Sequence, residues 1–279
     1  MRLDAHQHFW RYDPAEHSWM SEAMGAIKRD FLPADLKPRL QSAGFEGCVA
    51  VQARQSLEET RWLLQLAAEN AFLAGVVGWV DLRSESVAAQ LEEFRAHPKL
   101  VGVRHVVQDE LDDAFMLRAD FRRGIAQLAA FGLTYDLLIY PKHLAVASAL
   151  VREFPEQPFV LDHIAKPRIE AGEISPWKED LRELAKSPNV YCKLSGMVTE
   201  AAWTRWKPTD FEPYLDAVFA AFGPQRLMIG SDWPVCTLAA GYGETMRLVI
   251  DYVQQFSADV QQAVLGGNCA RFYGTPVLS

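Results

Sequence analysis

The segment RLDAHQHFW places His6 and His8 two residues apart at the end of an apolar run. Alternate residues of a strand point to one face, so these two imidazoles converge on one point. Such a pair can ligate a metal ion, share acid and base duties, or fill a hydrogen-bonded corner. Comparable residues close later apolar runs. Gln52 and Arg54 end the second, Trp79 sits in the third, and Arg104 and His105 lie in the fourth. Tyr140 ends the fifth, Asp162 and His163 the sixth, Lys193 lies in the seventh, and Ser231, Asp232 and Trp233 end the eighth. Charge inside an apolar segment is costly unless paired or ligated. Its recurrence at the ends of these runs marks a shared site.

The runs that must position these groups are residues 2–8, 47–52, 74–80, 101–107, 134–140, 158–163, 190–195 and 226–231. Helix signals lie between them. Ser56 and Glu59, like Thr209 and Glu212, have capping-box spacing. Ser175-Pro176 suits an N-cap followed by Pro at the first helical position. Leu63, Leu66 and Ala67 recur at helical spacing and make an apolar face. Alternating strands and helices imply parallel strands with right-handed crossovers. Eight repeats with no GxGxxG after the first strand favour a closed (β/α)8 TIM barrel over an open nucleotide-binding sheet. We read residues 1–279 as one domain, with the aromatic stretch at about 9–31 folded over the barrel mouth.

In this architecture, chemistry gathers at the C-terminal ends of the strands. Alternation turns Asp162 away from His163, so Asp162 reads as a helix-facing or loop-organising carboxylate. Arg104 and His105 face opposite ways, and alternation does not say which enters the barrel. His17 and His97 read as surface loop residues, and His143 as the start of a helix.

Composition narrows the classes. A net charge of −8 without a basic run argues against nucleic acid or anionic membranes as partners. No basic-then-apolar leader opens the chain and no apolar run approaches a membrane span. Cys48, Cys192, Cys236 and Cys269 are scattered without a CxxC pair, which reads as buried thiols in a reducing cytoplasm. Oligomeric state leaves no mark in the sequence.

His-x-His on the first strand, His on the sixth and GSDWP on the eighth resemble the amidohydrolase superfamily. Together DAHQHFW, GVRHVVQ, LDHIAKP, KLSG and GSDWP resemble its sugar-lactone hydrolase branch, acting on lactones such as L-fucono- and L-rhamnono-lactone. The resemblance spans nearly the whole chain and implies hydrolysis of a sugar-acid lactone in carbohydrate breakdown. It also implies a divalent ion, often zinc, on His6, His8 and Asp232, with His163 as a further ligand or a general acid. Some relatives work without metal. The fifth run, TYDLLIY, offers no histidine, which disfavours a binuclear centre bridged by a carboxylated lysine.

The implied chemistry has Asp232 taking a proton from water as it attacks the carbonyl. His6, His8, an ion they hold, His163 or Lys193 would meet the oxyanion. Gln52, Arg54, Trp79, Arg104, His105, Tyr140 and Trp233, with Lys193, are candidate sugar contacts. Ser195 lacks a GxSxG elbow, which disfavours a covalent route. The alternatives are a metal-dependent decarboxylase or hydratase, with Arg11, Arg54 and Arg104 holding a carboxylate, and a sugar-binding barrel without turnover.

Overall fold

A parallel strand falls on each of the eight apolar runs, β3 and β4 starting one residue earlier than expected, in a computed structural model that describes residues 1–275. The strands are β1 (Leu3–Gln7), β2 (Gly47–Val51), β3 (Leu73–Gly78), β4 (Leu100–His105), β5 (Thr134–Leu137), β6 (Phe159–Leu161), β7 (Val190–Leu194) and β8 (Leu227–Ile229). They pair in chain order, β1 to β8. The barrel closes where Gln7 bridges Trp233 in parallel, with the Asp232 N–H donating to His6 O at 2.8 Å. The principal helices are α1 (Pro33–Ser42), α2 (Leu57–Glu69), α3 (Val87–Phe94), α4 (Ala119–Leu128), α5 (Leu144–Glu153), α6 (Trp177–Ala185), α7 (Glu212–Phe222) and α8 (Tyr242–Val253), one after each strand. The result is a (β/α)8 TIM barrel.

Burial follows the strand alternation. Leu3, Ala5, Val49, Val51, Val77, Val160 and Met228 form an inner core. Cys48, Ala50, Val76 and Leu137 face outward into the larger helix-side core. Two C-terminal helices, α9 (Ala258–Gln262) and α10 (Asn268–Tyr273), complete the fold, and Cys269 and Tyr273 join the inner core. Gly266 allows this approach: a Cβ there would lie 2.5 Å from Met1 O. All four cysteines are buried and free.

Several local expectations shift. Ser56 caps α2 by accepting from the N–H groups of Glu58 and Glu59. The Glu59 carboxylate does not reciprocate; it takes the Ala53 N–H at 2.6 Å and pairs with Arg54. Thr209 caps nothing, because Asp210 satisfies the Lys207 N–H at 2.8 Å and α7 starts later, at Glu212. Helix α6 starts at Trp177, one residue beyond Pro176, and Ser175 Oγ bonds Glu179 instead.

The 9–31 segment is pinched at its base by paired hydrogen bonds between Trp10 and Phe31. Trp10 packs edge-on against Trp19 and Phe31, at 6.0 and 5.5 Å between centroids. His17 is buried, not on the surface: its ring packs against Trp10 and Tyr12 and bonds Asp13. His143 begins the turn into α5 and is buried, while His97 is exposed. Among the described residues, no helix is long and apolar enough to cross a membrane.

Close packing at one glycine makes the fold testable. A Cβ on Gly124 of α4 would sit 2.1 Å from Leu82 O, a backbone atom that cannot swing aside. Gly124→Ala therefore destabilises the protein by about 1–3 kcal/mol despite alanine's better helix propensity. Urea unfolding measures the change, and a midpoint equal to the wild type would show that the Leu82 backbone yields freely.

Candidate active site

Three strand ends deliver the central groups. Just past β1, His8 Nδ1 lies 2.7 Å from Val51 O. A carbonyl only accepts, so Nδ1 carries the proton and Nε2 turns a lone pair inward. His6 Nε2 lies 3.1 Å from that atom. Asp232, just past β8 in a left-handed conformation (φ 56°), places Oδ1 3.3 Å from His8 Nε2 and 3.7 Å from His6 Nε2. His163 Nε2 approaches the same oxygen at 3.8 Å. Its Nδ1 is 2.9 Å from Ser195 Oγ, and Gly196 leaves room for the ring, since a Cβ there would sit 2.5 Å from Nδ1. The chain from His163 to Lys166 holds four consecutive residues at positive φ, none a glycine. Such backbone is strained and persists only where its surroundings fix it.

Beneath these groups lies a charged cluster inside the barrel. Lys193 Nζ is 2.5 Å from Asp136 Oδ2, 3.0 Å from Asp162 Oδ1 and 3.2 Å from His6 Nδ1. Arg104 reaches Asp162 Oδ2 at 3.0 Å and donates to Gln52 O at 2.5 Å. From α10, the Tyr273 hydroxyl donates to Asp136 Oδ2 at 2.8 Å. Burial favours neutral Lys193, but Asp136 and Asp162 outweigh it and hold the ammonium above its usual pKa. Burial pushes Asp162 up, and Lys193, His6 and Arg104 bring it well below the usual carboxylate range. Asp232 behaves alike: burial raises it, while His163, His8 and His6 together hold it far lower. Burial depresses His6 strongly and His163 to about 4. At neutral pH His6 and His163 are thus neutral beside an ionised Asp232.

Above it opens a cavity of about 730 Å3 at the C-terminal ends of the strands. His8, Arg54, Arg104, Tyr140, His163 and Asp232 line it, and His6 lies fully buried just below. Five predicted sugar contacts lie elsewhere. Arg104 enters the barrel, so His105 points outward to bond Glu110 at 2.6 Å and stack on Phe115. Trp79 follows it outward, its indole N–H 3.4 Å from His105 Nδ1. Gln52 is buried against Arg104, Lys193 under His6, and Trp233 against Phe9 and Phe31. Asp162 is no loop organiser: β6 ends at Leu161, the turn breaks the alternation, and its carboxylate joins the interior cluster.

The cavity also gathers residues that strand-end reading misses: Trp10 and Trp19 from the 9–31 segment, Lys166, Glu200 and Trp203. Lys166 stands in the LDHIAKP segment already singled out, whereas Glu200 and Trp203 lie in a loop without periodicity.

One atom each of His6, His8 and Asp232 lies within 4.8 Å of the others, as do those of His6, Asp162 and His163. Asp162 is committed to Lys193 and Arg104, which leaves the first group as the candidate metal site. Two imidazole nitrogens and a carboxylate oxygen suit a divalent ion such as zinc. The surroundings fit as well. Val51 O holds His8 in the ligating tautomer, and Asp162 Oδ1, itself 3.0 Å from Lys193 Nζ, lies 3.4 Å from His6 Nδ1. Outer carboxylates of this kind orient histidine ligands.

Residues 3–275 match the amidohydrolase family. An L-fucono-1,5-lactonase of Burkholderia multivorans is 44% identical, over 99% of this chain and 97% of its own length. An L-fucono-1,5-lactonase of Burkholderia ambifaria is 40% identical, over 98% and 95%. A crystal structure of a Burkholderia multivorans amidohydrolase with bound zinc superposes with a TM-score of 0.96 at 44% identity, covering 99% of this chain and all of that one.

The interior cluster carries a measurable cost if broken. Lys193→Met removes the cation shared by Asp136 and Asp162, leaving Asp162 with Arg104 alone and the buried Asp136 with no cation, only the Tyr273 hydroxyl. Loss of one member of a buried pair costs about 3–5 kcal/mol. Denaturant unfolding reads this directly, and wild-type stability in the variant would show that the two aspartates do not depend on Lys193.

Proposed function

The chain belongs to the amidohydrolase family, and from that premise we propose that it hydrolyses the ring ester of a sugar-acid lactone, with L-fucono-1,5-lactone as the leading substrate. The full-length likeness to two L-fucono-1,5-lactonases carries this reading. The enzyme is thus a hydrolase acting on a carboxylic ester. We read residues 1–279 as one functional domain whose 9–31 segment shapes the cavity. Its place is the cytoplasm, in carbohydrate breakdown, a setting that four free buried thiols suit.

Asp232 is assigned as the base. It orients water and takes a proton as the oxygen attacks the carbonyl carbon, while His6, His163 and the Arg104 guanidinium face the developing oxyanion. Arg104 Nη1 lies 3.4 Å from His6 Nε2, so the two act from one side of the cavity floor. As the tetrahedral intermediate collapses, the bond from carbonyl carbon to ring oxygen breaks and Asp232 returns the proton to that oxygen. The neighbouring imidazoles hold Asp232 in its ionised form, so it enters the first step free to accept the proton. Lys193 acts through His6, not on the substrate, since it is fully buried below that ring. Arg54 and Tyr140 remain as sugar contacts.

His6, His8 and Asp232, with His163 beside them, would hold the divalent ion, which we read as zinc; bound there, it supplies Lewis acidity to the carbonyl and to water. Decarboxylation of an aromatic acid is not favoured. The two full-length relatives are lactonases, and Arg54 and Arg104, the cavity arginines that could hold a substrate carboxylate, are already paired with Glu16, Glu59 and Asp162. A water-activating carboxylate among histidines equally disfavours a barrel that only binds.

Asp232→Asn keeps the shape and removes the base, so turnover falls by about 10²–10⁴-fold with the fold intact. Hydrolysis of a panel of aldonolactones, followed by pH indicator alongside circular dichroism, measures this; a near-normal rate would remove Asp232 from the chemistry. Running the panel before and after chelation tests the ion. Chelation lowers the rate without abolishing it, because Arg104 and the imidazoles still face the oxyanion. Complete loss would assign carbonyl polarisation to the ion alone.

A further inference from the structure

Two charged groups on the cavity wall have no part in the bond-making steps. Lys166 follows β6 and Glu200 follows β7, and both line the cavity that His163 and Asp232 floor. Among the described residues, neither side chain forms an ion pair. The Lys166 ammonium stands 5.6 Å above the Tyr140 ring, and the Glu200 carboxylate accepts no hydrogen bond.

Their backbones, by contrast, are pinned. Glu200 O accepts the Glu170 N–H at 2.9 Å, and the Lys166 N–H donates to His163 O at 2.8 Å. Trp203, also on the cavity wall, donates its indole N–H to Thr199 O at 2.9 Å. The loops therefore fix the backbones of Lys166 and Glu200 at the cavity without satisfying their side chains. Glu200 is half-buried, and burial, opposed by Lys166 and reinforced by Asp232, pushes its pKa up to about 7. A desolvated carboxylate without donors is costly. The cavity's arginines offer it no partner, since Arg54 is taken by Glu16 and Glu59, and Arg104 by Asp162. A ligand carrying several hydroxyl donors would satisfy it.

We propose that Glu200 reads the hydroxyl groups of the lactone, accepting hydrogen bonds from hydroxyls on ring carbons away from the ester, with Lys166 donating to a neighbouring substrate oxygen. Glu200 is then a specificity-determining residue, and the substrate must carry hydroxyls on the side of the ring that faces the β6 and β7 loops. This rests on the lactonase reading and adds to it what the substrate must display.

The test compares L-fucono-1,5-lactone with δ-valerolactone, the same ester ring without hydroxyls, in the wild type, Glu200→Ala and Glu200→Gln. Preference for the polyhydroxylated lactone, as the ratio of kcat/KM values, falls about ten- to hundredfold in Glu200→Ala, mainly through KM. Glu200→Gln, whose amide oxygen still accepts, loses less. The ratio does not depend on the fraction of protein that folds. An unchanged ratio in both variants overturns the assignment, and wild-type turnover of both lactones would still uphold the lactonase reading. Equal losses in kcat on both lactones also overturn it, placing Glu200 in bond breaking instead. A wild type that turns over neither lactone overturns the lactonase reading, and the assignment with it.

Discussion

Desolvating an ammonium group deep in a protein costs on the order of several kcal/mol, and only a complete set of acceptors makes it tolerable. Lys193 is at 0% exposure in the barrel interior, and its three neighbours are Asp136, Asp162 and His6. Each of those is fixed in turn. Tyr273 donates to Asp136 from the far end of the barrel, and Arg104 clamps Asp162 while bonding the Gln52 carbonyl. The site therefore does not rest on an apolar floor. Its floor is a charge network spanning the barrel from α10 to the ends of the strands, and His6 is its uppermost member.

His6 also stands at the seam that closes the barrel, where its carbonyl accepts the Asp232 N–H. Between Asp4 and Gln7, β1 advances three residues while β2 advances two, from Cys48 to Ala50, so β1 carries an extra residue there. Bulges re-aim side chains next to active sites. Across the seam, the Asp4 carboxylate accepts the Ser231 N–H and hydroxyl at 2.9 and 2.6 Å, together with the Tyr242 hydroxyl from α8. Gly230 lets β8 approach, since a Cβ there would lie 2.9 Å from His6 Cβ. Substitutions along this seam would loosen barrel closure and the His8–Asp232 geometry together, because one set of hydrogen bonds serves both.

Strand count, barrel class and the convergence of His6, His8, His163 and Asp232 were all legible in the sequence, because alternation and strand-end position are local properties. What was not legible failed for identifiable reasons. Alternation assigned Asp162 outward, but β6 ends at Leu161 and the following turn at positive φ is not periodic. It also left Arg104 and His105 undecided; the interior carboxylate Asp162, brought close by the fold, decides for Arg104. Glu200 and Trp203 come from a loop whose path depends on hydrogen bonds to distant backbone, as Glu200 O does on Glu170. His17 looked exposed because the Trp10 and Tyr12 rings that bury it fold over it only once the segment is pinched.

The network under His6 also bears on how one site could work with or without an ion. His8 has a single tautomer, set by Val51 O. His6 does not, because its Nδ1 lies 3.2 Å from a donor, Lys193 Nζ, and 3.4 Å from an acceptor, Asp162 Oδ1. With Lys193 donating to Nδ1, the His6 proton sits on Nε2 and faces the cavity as an N–H for an oxyanion. With Nδ1–H turned to Asp162, the same Nε2 offers a lone pair to a ligated ion. The two forms differ by the place of one proton on the ring. A lysine between two buried carboxylates thus does more than balance charge: it keeps both tautomers of one histidine within reach.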